Sequence, residues 1–198
     1  MAQKFEEKKF NIPKLKGISE KNIEEHLKLY AGYVKNANLV LEKIEEMSAN
    51  LEANVYIIAE TQRRFGFEYN GMRNHEVYFE SLSGGTKNLD DASGLKKVIT
   101  EEFGSFDKWL SYFKSLATTR GIGWAMLYWD KKDKRLLNTW IDEQHIGQLQ
   151  NCSPILALDM WEHAFVADYQ PSGKKQYIED FFENLNWQVI EQNFTEVI

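Results

Sequence analysis

Side chains of one face recur at alternating intervals of three and four through Ile23, His26, Tyr30, Tyr33, Ala37, Val40 and Ile44, the period of one side of a long helix. Glu24, Glu25, Lys28, Lys35, Glu42, Glu45 and Glu46 fall mostly on its other sides, and Ser19 stands where an N-cap is expected. The fourteen residues at the start read as an extended arm pinned by Pro13. A second helical pattern runs from about Ala49 to Phe65, and a third from near Asn70 to a stop at Gly84-Gly85. The stretch SGGTKNLDDA (83–92) is rich in Gly, Ser and Asp and marks a boundary, with a helical domain over 1–88 and a second domain over 89–198. Two short helices are expected at about 93–103 and 105–118, capped by Ser93 and Ser105. The period then changes. GIGWAMLYWD (121–130) and RLLNTWI (135–141), joined by the polar KKDK, read as a hairpin, and PILALDMW (154–161) is a third strand candidate. Helical spacing returns through Tyr177, Ile178, Phe181, Phe182, Leu185, Val189 and Ile190. Helices first, then helices with a small sheet, define an α+β fold.

Composition narrows the function classes. The 198 residues suffice for one domain or two lobes sharing a core, and 43% apolar with 27% charged residues is a globular mixture. Mean hydropathy is -0.52 and no apolar run is long enough for a bilayer, so no membrane partner is expected. MAQKFEEKKFNIPK has no apolar signal core, so the expected location is cytoplasmic. The single cysteine, Cys152, excludes an intramolecular disulfide and a four-cysteine zinc site. A net charge of -6 argues against nucleic acid as a partner. Aromatic residues at 14% point to a densely packed core or an interface.

Candidate chemistry rests on four histidines: His26, His75, His145 and His163. His145, in the polar IDEQHIGQ, reads as a solvated side chain. The other three stand among apolar and aromatic neighbours, where an unpaired imidazole is costly to bury. Asp159 lies at the end of a strand-like run, four residues before His163, so the two converge if a helix begins there. Three neutral imidazoles and one carboxylate suit a borderline metal such as iron, manganese or zinc.

These motifs resemble the iron/manganese superoxide dismutases. DMWEHAFVADY (159–169) is similar to that family's DxWEHAYYxDY signature, and RNHEVYF to its NHxxYW motif. GISEKNIEEH, FGSF (103–106), GIGWAMLYW and NLNWQVI (184–190) resemble further family segments in the same order, over about residues 17 to 192. The resemblance implies an antiparallel helical hairpin followed by an α/β lobe with a three-stranded antiparallel sheet. It implies one iron or manganese ion per subunit, held by His26, His75, Asp159 and His163 with solvent as a fifth ligand. The implied activity is conversion of superoxide to dioxygen and hydrogen peroxide. It also implies a homodimer in which Glu162 reaches the partner subunit's His163, with a tetramer as a further option.

Gln144, fifteen residues before Asp159, matches the place where manganese-type members carry a glutamine that hydrogen-bonds the solvent ligand. Iron-type members more often supply it from the position that is Gly71 here, so the pair looks manganese-like while either metal stays open. Trp124 and Trp161 would wall the metal pocket and exclude water. The family usually has His four residues after the first ligand and a gateway Tyr eight after. Here Tyr30 is at +4 and Tyr33 at +7, as if a one-residue bulge were lost, with Tyr33 the gateway candidate and Tyr30 its alternative. Val166 replaces the signature Tyr that pairs with the +4 His across the dimer. QPSGKK (170–175) lacks the family's arginine pattern, leaving Lys174 and Lys175 as the cations considered for anion guidance. Two rival readings keep the site: a non-haem iron oxygenase, and a metal-binding dimer without turnover.

Overall fold

The computed structural model describes residues 4–198. Two long helices, α1 (Glu20–Ser48) and α2 (Leu51–Leu82), pack side by side as an antiparallel hairpin. The Ser19 side chain accepts the Asn22 N–H and caps α1; Asn50 caps α2 by accepting from Ala53. Helices α3 (Gly94–Phe103) and α4 (Phe106–Ala117) follow, capped by Ser93 and Ser105 as expected. Strands β1 (Gly123–Asp130), β2 (Arg135–Asp142) and β3 (Cys152–Asp159) form an antiparallel sheet in the order β2-β1-β3. Two helices, α5 (Lys174–Glu183) and α6 (Trp187–Thr195), close the chain.

Three expectations need correction. The patterns at 49–65 and 70–84 are one continuous helix, because Gly66 and Gly71 are carried through by packing against α1 and β3. The terminal periodic run is broken into α5 and α6 at Asn184 and Asn186. Their amides donate to the carbonyls of Lys16 and Ser83, and Asn186 caps α6. Strand β3 begins two residues before Pro154 and ends at Asp159 rather than Trp161. Pro154 is tolerated because β3 is an edge strand, with a register shift beside it opposite Leu127 and Tyr128. Helix α1 runs without a bulge through Tyr30 and Tyr33.

The two halves share one apolar core, with Tyr78 and Phe79 from α2 and Trp109, Trp124 and Phe181 from the lobe all fully buried. The extended arm lies along the hairpin. Phe5 and Asn38 exchange two hydrogen bonds, the Lys8 N–H donates to the Tyr30 hydroxyl at 2.9 Å, and Phe10 packs on Tyr30 and Phe79. No helix among the described residues is long and apolar enough to cross a membrane.

Candidate metal centre

Each donor is delivered by a different part of the fold. His26 projects from α1 and His75 from α2, facing each other across the hairpin with ring centroids 4.9 Å apart. Asp159 ends β3 beside its sheet partner Trp124. His163 follows on a single 3-10 turn (Glu162–Ala164), not on an α-helix, yet still lands on the aspartate. The Nε2 atoms of His26 and His163 each lie 3.1 Å from Asp159 Oδ2, and that of His75 lies at 3.5 Å. All four donor atoms fall within 4.8 Å of one another.

This arrangement fits a cation. His75 Nδ1 donates to the Gly71 carbonyl at 2.6 Å, so its Nε2 is a bare lone pair. That atom is fully buried and has no hydrogen-bond partner. Protonation does not relieve it: burial, then the neighbouring His26, push His75 down to about 3. Burial likewise lowers His26, only partly offset by its bond to Asp159. For Asp159 burial alone would raise the pKa, but the charge of His163 and the bonds from His163 and His26 hold it below the usual carboxylate range. Three imidazole nitrogens and a carboxylate oxygen aimed at one point in a dry pocket are a donor set for iron, manganese or zinc. His26, His75 and Asp159 have no solvent exposure, whereas the His163 side chain is 21% exposed, so approach is from its side.

The surroundings are fixed by a chain of hydrogen bonds. Trp124 Nε1, which can only donate, gives its hydrogen to Gln144 Oε1 at 2.9 Å. This orients the amide so that Gln144 Nε2 donates to the Tyr33 hydroxyl, also at 2.9 Å. Trp124 and Trp161 stand against His75 and His163 respectively, and Trp161 Nε1 donates to the Glu143 carbonyl. The Trp161 N–H donates to Asp159 Oδ1, holding the carboxylate plane. Tyr33 packs on His75 with ring centroids 5.0 Å apart. Tyr30 is turned elsewhere: its hydroxyl accepts from Lys8 N–H and donates to Glu76. Gly71 leaves room for a ring rather than an amide, since a Cβ there would come 2.5 Å from Tyr33 Cδ1. The Glu162 side chain is exposed and makes no hydrogen bond or ion pair among the described residues.

Several residues of this shell carry no sequence signal of their own. Asn74 donates to the Gln144 carbonyl at 3.0 Å, and Gln148 donates to the same carbonyl and to Asn74 Oδ1. Asn74 lies inside the RNHEVYF motif, a position beside His75 that could have marked it. His145 is not a solvated side chain. It is half-buried, edge-on to Phe67, and takes no part in the cluster. Lys174 is engaged by the Thr119 carbonyl and lies over Trp140, and Lys175 is exposed.

A helical hairpin joined to a small antiparallel sheet, with three imidazoles and a carboxylate at the seam, forms a cluster that could hold one metal ion. Residues 13–83 match the alpha-hairpin domain of the iron/manganese superoxide dismutases, and residues 91–193 match their C-terminal domain. The chain belongs to that family. It is 35% identical over 188 residues to a superoxide dismutase [Fe] of Cupriavidus metallidurans, covering 93% of this chain and 92% of the relative. It is 34% identical to a superoxide dismutase [Mn] of Mycobacterium lepraemurium, covering 86% and 81% respectively. A superoxide dismutase [Fe] of Aquifex aeolicus is 32% identical, with 93% and 87% covered.

Proposed function

We propose that this protein is a superoxide dismutase whose single iron or manganese ion per subunit is held by His26, His75, Asp159 and His163. The observation that carries the reading is the convergence of three Nε2 atoms on Asp159 Oδ2 in a buried pocket, in a chain of this family. When bound, such an ion supplies one-electron chemistry that turns one superoxide into dioxygen and a second into hydrogen peroxide.

The chain's own residues supply orientation, dryness and protons. Because Tyr33 Oη accepts from Gln144, its own hydrogen is free to be given to a reduced species in the pocket. Burial, reinforced by the charges of Asp159 and Glu68, raises the Tyr33 pKa, so the phenol keeps its proton at neutral pH. Gln144, fixed by Trp124 and clamped by Asn74 and Gln148, keeps a second amide hydrogen for the same pocket. Trp124 and Trp161 exclude bulk water and strengthen each of these interactions.

The working form we propose is a homodimer joined through Glu162 and the partner subunit's His163, and located in the cytoplasm. Support comes from the free carboxylate of Glu162, the exposed edge of His163 and the 42% exposure of the apolar Val166 beside them. Metal analysis of the purified protein, superoxide decay after separate loading with iron and manganese, and sedimentation of the loaded protein test the reading. One ion per chain, turnover in at least one metal form and a dimer are expected. Bound ion without turnover in either form would refute the activity.

A further inference from the structure

Asn22 lies one turn before His26 on α1 and is 1% exposed, yet neither its Oδ1 nor its Nδ2 has a hydrogen-bond partner. His26 Nδ1 is buried and equally unpartnered. Three such atoms within one helical turn are unusual, because buried polar groups are nearly always paired. Helical side chains lean toward the N-terminus, so a residue overlies the one four positions earlier. His75 uses that geometry already, with its Nδ1 bonded to the carbonyl of Gly71, four residues before it. His26 makes no such backbone bond. What its own i-4 residue offers is a side-chain amide. When Nε2 is given to a metal ion rather than to Asp159, the ring hydrogen of His26 belongs on Nδ1, the buried atom that lacks a partner.

We propose that Asn22 Oδ1 accepts the Nδ1–H of His26 through one buried water, and that Asn22 is a positioning residue for this metal ligand. The inference rests on the reading of the cluster as a metal centre. Such a bond fixes the tautomer and the ring orientation and makes Nε2 a better donor. The two α-helical ligands are thereby held by the same device, a carbonyl one turn back, supplied by backbone at Gly71 and by side chain at Asn22.

The test uses the full chain with cobalt(II) as the probe. Asn22→Leu keeps the volume and removes both polar atoms; Asn22→Asp keeps an acceptor. For Asn22→Leu the expected result is a loss of roughly 10- to 100-fold in cobalt affinity in chelator competition. One exchangeable, hyperfine-shifted ring N–H resonance of the cobalt protein should move with it. In the metal-free protein the His26 hydrogen lies on Nε2 toward Asp159 and Asn22 is unpaired, so the metal-free Leu variant should melt at the same temperature as the parent or higher. Asn22→Asp should recover the cobalt affinity. A Leu variant with parental affinity and unshifted N–H resonances would overturn the proposal, as would a folded Asp variant that binds no better than Leu. A parent protein that takes up no cobalt, iron or manganese would overturn the metal reading itself, and this inference with it.

Discussion

Replacing Gly71 by alanine tests the close approach on which the gateway geometry depends. The new Cβ would meet Tyr33 Cδ1 at 2.5 Å, Cε1 at 2.7 Å and Cγ at 3.0 Å. Carbon contacts are comfortable from about 3.5 Å, so the ring must withdraw by about 1 Å. The bond from Gln144 to Tyr33 is 2.9 Å long, and hydrogen bonds of this type weaken beyond about 3.2 Å, so a shift of that size exceeds its slack. Overpacking costs about 1–3 kcal/mol, against a gain of about 0.5–1 kcal/mol for alanine over glycine within a helix. A net loss of about 1 kcal/mol corresponds to a Tm lower by roughly 2–4 °C in a chain of this size. Gly32→Ala is the control, since nothing lies within 4 Å of a Cβ there, and it should raise Tm instead. Thermal unfolding of the metal-loaded variants and stopped-flow decay of superoxide read the two effects separately. Gly71→Ala should slow turnover with metal content intact, while Gly32→Ala leaves turnover alone. If Gly71→Ala behaves like Gly32→Ala on both counts, the Tyr33 ring does not occupy that space and the reasoning fails.

Tyr33→Phe should leave metal content unchanged while altering turnover or product inhibition, because the Oη hydrogen is gone and the Gln144 amide loses its acceptor. Unchanged kinetics in a metal-replete variant would place the proton source elsewhere. Stability of the metal-free chain should fall on acidification. His75 is held down to about 3 from 6.5, so below pH 6.5 the unfolded chain binds protons that the folded chain refuses. Stability is therefore full above pH 6.5 and is lost toward pH 3, and Asp159 adds a loss of the same sign below 3.8. Urea midpoints measured from about pH 7.5 down to about pH 4 check this; a midpoint that stays flat or rises would contradict it.

Much of the site could be read from the chain because its residues obey local order. The alternation through Ile23, His26, Tyr30 and Tyr33 is helical and is helical in the fold. The candidate ligands His75, Asp159 and His163 sit in the short motifs RNHEVYF and DMWEHAFVADY. What escaped the sequence depends on contacts between remote segments. Gly71 reads only as the place where iron-type relatives carry a glutamine, but it serves to admit a ring from the neighbouring helix. Asn184 and Asn186 look like ordinary surface residues in a periodic run, and only their bonds to Lys16 and Ser83 show why the helix ends there. Asn74 and Gln148 are polar side chains with no spacing that announces a shared carbonyl at Gln144. His163 reached Asp159 without the helix expected of it, because a strand end followed by one tight turn brings the ring back equally well.

The separation of the donors along the chain has a consequence for biosynthesis. His26 and Asp159 are 133 residues apart, an interval a ribosome covers in about 7 to 27 s at ordinary elongation speeds. Once residue 75 has been added, the nascent hairpin carries two imidazoles that have no carboxylate to join. The four donors of the candidate metal centre can thus come together only when translation is nearly finished.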